Sequence, residues 1–100
     1  MGRSIEEIRK EIDRIDDRLI ELLSQRAKLV LEIGDLKKAQ GLPVYVPDRE
    51  QEIHQRVQAQ NKGPLSNEAI VRLFKEIIQE SRNLEQEILS NPQRDPLTKY

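Results

Sequence analysis

The stretch from Ser4 to Leu42 holds no proline and, before Gly41, a single glycine, Gly34. Within it Ile5, Ile8, Ile12, Ile15, Leu19, Leu22, Val30 and Ile33 recur at steps of three and four or their sums. That is the period of one helix face. Ser4 stands where an N-cap belongs, with Glu7 three residues on, the pattern of a capping box. The pattern predicts one helix of about 36 residues, roughly 54 Å long at 1.5 Å per residue. A helix of that length is too long for a compact monomer of 100 residues. It must protrude or pack against a partner chain.

The remainder divides at two breaks. In "GLPVYVPDRE", Gly41 suits a helix C-cap, and Pro43 and Pro47 keep the connection extended. Asp48 is the expected cap of a short second helix whose apolar face is thin, Ile53 and Val57. After "NKGPLS", Ser66 caps a third helix carrying Ile70, Leu73, Phe74, Ile77, Ile78, Leu84, Ile88 and Leu89. From Asn91 the chain is polar with two prolines and reads as a flexible tail. The expectation is an all-α domain over residues 1–90, with long, short and medium helices, and a flexible tail over 91–100.

Composition narrows the function classes. Charged residues make up 35% and aromatics 3%, a profile of long helices. The formal net charge is −1, so no global field favours nucleic acid or an anionic membrane. There is no cysteine, which excludes disulfides, zinc–thiolate sites and thiol catalysis. A single histidine, His54, argues against a histidine metal site or triad, and it is assigned no role. The charged N-terminus lacks the apolar core of a secretory signal, and no apolar run approaches membrane-spanning length. The cytoplasm is the expected location.

Four polar residues fall where apolar ones belong. Arg26 lies seven residues beyond Leu19, and Lys37 eleven beyond Arg26. Eleven residues make three turns plus about 20°, so both cations share the apolar face, about 16 Å apart along the axis. On the third helix Ser81 sits at the centre of the apolar arc and Glu85 at its edge. If the two faces pack, these four line one polar pocket. Burying several charges costs several kcal/mol, on the order of a typical ion's desolvation, unless they are paired. An anionic ligand would supply the pairing. The competing account is that the basic chains snorkel and that an Arg–Glu pair sets register only. Arg9 is 17 residues before Arg26, about 25 Å along the same helix, and reaches that pocket only across an antiparallel pair of long helices. Arg49 and Glu50 open the second helix.

With these residues in place the chain resembles the all-helical chorismate mutases of the AroQ class, roughly from Ile5 to Leu89. The resemblance rests on "IRKEIDRIDDRLIELLSQRAKLVLEIGDLKK", on "VPDRE" after a proline-containing loop, and on "LFKEIIQESRNLEQEIL". It implies an intertwined homodimer, no cofactor and no metal, and conversion of chorismate to prephenate by a [3,3] rearrangement. It further implies that Arg9 of one chain and Arg26 of the other bind the two carboxylates. Lys37 would bind a carboxylate and the ether oxygen, and Glu50 would accept from the ring hydroxyl. Arg49 and Ser81 would help hold the substrate, and Glu85 would face the ether oxygen. Two positions depart from the family pattern. Val46 stands where some members have an Asp that contacts the ring hydroxyl. Glu85 stands where many carry Gln. An ionised Glu85 would repel a developing oxyanion and a protonated one would donate to it, so Glu85 is expected to work protonated.

Two other readings compete. An isochorismate-pyruvate lyase shares the fold and a similar cationic pocket. A non-catalytic helical dimerisation module would use the long helix as a scaffold, although Arg26 and Lys37 on the stripe weigh against an apolar seam.

Overall fold

The computed structural model describes residues 2–91. Of the expected tail at 91–100, all but Asn91 lies outside the described residues. Helix α1 spans Ile5–Gln40, α2 Pro47–Gln60 and α3 Asn67–Ser90, with no strand among the described residues. The fold is therefore all-α, with helices of 36, 14 and 24 residues.

The helix ends follow local chemistry. Ser4 Oγ accepts from the Glu7 amide at 3.1 Å, and Ser66 Oγ accepts from the Ala69 amide at 3.1 Å. Each satisfies one of the amides that a helix start leaves without a partner. Gly41 ends α1 at φ 68°, a left-handed conformation that glycine adopts without a Cβ clash. There the Leu42 amide donates back to the Lys37 carbonyl at 2.9 Å. The start of α2 differs from the expectation. Its cap is Val46, with no side-chain cap bond, and Asp48 lies inside the first turn. Pro47 takes the first helical position, where its fixed φ suits a helix and its missing N–H leaves nothing unpaired.

Helix α3 is the centre of the fold. It runs alongside the C-terminal half of α1 in the same direction: Arg26 reaches Ser81, Gly34 abuts Glu85 and Ile88, and Lys38 reaches the Asn91 carbonyl. On α3's other flank, Ile53 and Val57 of α2 form a buried cluster with Ile78, covered by Ile70 and Phe74. Gly34 permits the close approach of α1 and α3, since a Cβ there would stand 2.7 Å from Ile88 Cδ1.

The N-terminal half of α1 has no such cover. Ile5, Ile8, Ile12, Ile15, Leu19, Leu22 and Leu23 are all exposed, Ile15 at 60%. The molecule is accordingly extended, 60 × 27 × 16 Å, with a radius of gyration of 17.4 Å. A compact chain of this length would have about 13 Å. No helix among the described residues is long and apolar enough to cross a membrane.

Candidate active site

The stripe positions of Arg26 and Lys37 aim both cations at α3. Arg26 Nη1 donates to Ser81 Oγ at 2.5 Å. Lys37 Nζ lies 2.8 Å from Glu85 Oε1 and donates to the Val44 carbonyl at 3.0 Å. The two cations leave α1 about 16 Å apart, yet their partners stand one helical turn apart on α3, about 6 Å along its axis. Their heads therefore converge. The Lys37–Glu85 pair is largely buried, with side chains 16% and 9% exposed. Its approach is off the hydrogen-bond direction, so Glu85 Oε1 has a charge partner and an acceptor site left open.

Arg26 is distinctive among the cations here. Its partner among the described residues is a neutral hydroxyl rather than a carboxylate. Burial, and then repulsion from Arg49 and Arg56, hold its pKa below the ordinary guanidinium value. The guanidinium remains charged at neutral pH. Two cations of α2 thus repel Arg26, and an anion placed beside it would relieve that repulsion. A cavity of about 300 Å³ opens beside Arg26 and Ser81, lined also by Leu23, Ala27, Ile77 and Leu84 and, on α3, by Glu76 and Glu80. Lys37 and Glu85 lie beyond its lining.

The second helix brings Glu50 to the same end of α3. Arg82 Nη2 donates to Glu50 Oε1 at 3.2 Å, and Arg82 Nε lies 3.0 Å from Oε2, out of line for a hydrogen bond. The Arg82 guanidinium also sits 4.9 Å from the centroid of the Tyr45 ring. Arg49 is exposed and bonds Glu52 at 3.1 Å, one turn along α2. Arg9 is exposed and 3.7 Å from Glu6, on the uncovered half of α1. Val46 forms the α2 cap, its carbonyl accepting from the Glu50 amide at 3.2 Å, and its side chain offers no polar contact.

Of the residues expected at one site, the structure brings together Arg26 with Ser81 and Lys37 with Glu85, and Glu50 reaches α3 through Arg82. Arg9 is not brought to them within one chain. Sequence reasoning missed Arg82, Tyr45, Arg56 and the Val44 carbonyl. Arg82 had a readable signal, since it adjoins Ser81 and precedes Glu85 by three residues. The other three depend on the path of the α1–α2 loop and the rotation of α2, which no periodicity reports. No group of His, Cys, Asp and Glu among the described residues is placed to hold a metal ion.

Comparison with known proteins identifies relatives of the same family and fold. Residues 8–86 match the family model of chorismate mutase type II. The bifunctional chorismate mutase/prephenate dehydratase of Aquifex aeolicus is 43% identical over 88 residues, covering 84% of this chain and 24% of that protein. The chain thus spans about a quarter of the length of the bifunctional relatives it matches. A solved chorismate mutase of Thermus thermophilus superposes with a TM-score of 0.81 at 46% identity, covering 82% of this chain and 93% of that one. The chorismate mutase of Helicobacter pylori, solved in complex with prephenate, superposes with a TM-score of 0.80 at 32% identity, covering 89% and 97%. Three helices in this order, two cations converging on one turn of α3 and a family match over most of its length place the chain in the type II chorismate mutase family.

Proposed function

We propose that this chain is a chorismate mutase acting as a homodimer, with the domain spanning residues 1–90. The observation that carries the reading is the convergence of Arg26 and Lys37 on the Ser81–Glu85 turn, with Arg26 lacking a carboxylate partner among the described residues. Chorismate is a dianion, and two converging cations, one of them at the recess beside Ser81, suit it. The Helicobacter pylori relative solved with prephenate supports the same ligand class.

In this reading Arg26 takes one carboxylate and Arg9 of the partner subunit takes the other. Lys37 reaches a carboxylate and the ether oxygen, Glu85 faces that oxygen, and Glu50 accepts from the ring hydroxyl. Arg49 and Ser81 steady the substrate. The [3,3] rearrangement breaks the C–O ether bond and forms a C–C bond in one step. No proton, electron or nucleophile enters or leaves, so the protein's work is to hold the chair-like conformer and stabilise charge growing on the ether oxygen.

The homodimer is supported by the uncovered stripe from Ile5 to Leu23, too continuous an apolar surface for a monomer in water. It is also the arrangement that carries Arg9 to a site its own chain cannot reach. The test is to incubate the protein with chorismate and follow the loss of its absorbance, with Arg26→Ala alongside. Prephenate formation that disappears in the variant supports the reading. Turnover of isochorismate instead would make the protein a lyase, and turnover of neither would leave a dimerisation module.

A further inference from the structure

Arg82 is unlike the other surface arginines. Arg9 and Arg49 pair with carboxylates one turn away on their own helices, with side chains 69% and 58% exposed. Arg82 instead reaches across from α3 to Glu50 on α2, and the two side chains are 33% and 19% exposed. It meets both carboxylate oxygens: Nη2 donates to Oε1 at 3.2 Å, and Nε stands 3.0 Å from Oε2. The one hydrogen bond at Oε1 and the charge contact at Oε2 together oppose rotation of the carboxylate about its last bond. The guanidinium is itself restrained, because the Tyr45 ring lies 4.9 Å from it.

We propose that Arg82 is a positioning residue, holding Glu50 so that its remaining lone pairs accept the ring hydroxyl of the substrate. The inference rests on the chorismate mutase reading and adds a part to it. An ionised carboxylate offers about four acceptor sites, so the single Arg82 hydrogen bond leaves about three for a ligand. An uncompensated Glu50 would also repel a dianionic substrate. Paired with Arg82, it presents acceptors without a net negative charge. Since the Val46 side chain supplies no polar contact, hydroxyl recognition falls to Glu50, and its orientation matters more.

The test compares two bicyclic ether dicarboxylates shaped like the rearrangement transition state, one bearing the ring hydroxyl and one lacking it. Calorimetry gives the ratio of their dissociation constants. A hydrogen bond to a charged acceptor sets that ratio at about ten- to a hundredfold in favour of the hydroxyl. In Glu50→Ala the ratio falls toward one. In Arg82→Met it falls likewise, and Arg82→Met adds nothing further in the Glu50→Ala background. Arg82→Lys restores the charge without the planar guanidinium that spans both oxygens, so overall affinity recovers while the ratio stays low. Melting curves check that each variant folds. A ratio unchanged from wild type in Arg82→Met, or restored in full by Lys, overturns the positioning role and leaves the chorismate mutase reading intact. Failure of the wild type to bind either mimic overturns that reading, and the role of Arg82 with it.

Discussion

Ser81 Oγ donates its proton to the Ile77 carbonyl at 2.9 Å and accepts from Arg26 Nη1 at 2.5 Å. A hydroxyl has one proton, so its bond to the helix backbone turns a lone pair toward Arg26. The guanidinium is thereby oriented without being neutralised, and its charge stays available to an anion.

Ser81→Ala should therefore separate activity from stability. Removing one such hydrogen bond costs about 0.5–1.5 kcal/mol. The expected result is a loss of kcat/KM of about two- to tenfold, seen mainly as a higher KM. Alanine is the better helix former and offsets part of that cost, so the melting temperature should fall only slightly. A fall in melting temperature with unchanged kinetics would make Ser81 a structural residue only.

Gly34→Ala tests the seam between α1 and α3. The added Cβ would stand 2.7 Å from Ile88 Cδ1 and 3.5 Å from Glu85 Cγ, and Ile88 is only 3% exposed. Overpacking a filled seam costs about 1–3 kcal/mol, against about 1 kcal/mol gained in helix propensity. The melting temperature should drop by several degrees. Turnover should change less, because Glu85 Cγ at 3.5 Å is in ordinary contact and the Lys37 pair need not move. A melting temperature at or above wild type would show that Ile88 moves aside freely.

Arg9 and Arg26 should complement each other between subunits. Arg9→Ala and Arg26→Ala are each expected to be inactive alone. A heterodimer of the two contains one site with both arginines intact. Mixed at equal concentration and allowed to exchange subunits, they should recover about a quarter of wild-type activity by random assortment, half the dimers each holding one good site. No recovery despite exchange proved by mass would mean that each chain builds its site alone.

Ile15→Lys tests the uncovered stripe. Ile15 is 60% exposed in the single chain, and a charge at such a position usually changes stability by no more than about 0.5 kcal/mol. Covered by a second copy, the same charge would be buried without a partner. Light scattering should then find monomer and the activity should disappear. An unchanged mass would place the contact between copies elsewhere.

Local chemistry wrote much of this protein into its sequence. The extent of α1, the serine caps of α1 and α3 and the Gly41 stop follow from helix period and from which residues satisfy helix ends, and all involve neighbours within four residues. The rotational positions of Arg26, Lys37, Ser81 and Glu85 follow from the same period, and so the inward cations were legible before any fold was known. The start of α2 was misread by one type of signal, since Asp48 and Pro47 both mark helix starts and the fixed φ of proline prevailed. Buried Asp35 on α1 gave no sign of itself, because burial depends on what lies opposite. Tertiary structure alone decided that Lys37 meets the Val44 carbonyl and that Arg82 meets Glu50 over the Tyr45 ring. These contacts join residues on different elements. They depend on how far α2 is rotated against α3 and where the intervening loop passes, and packing sets both.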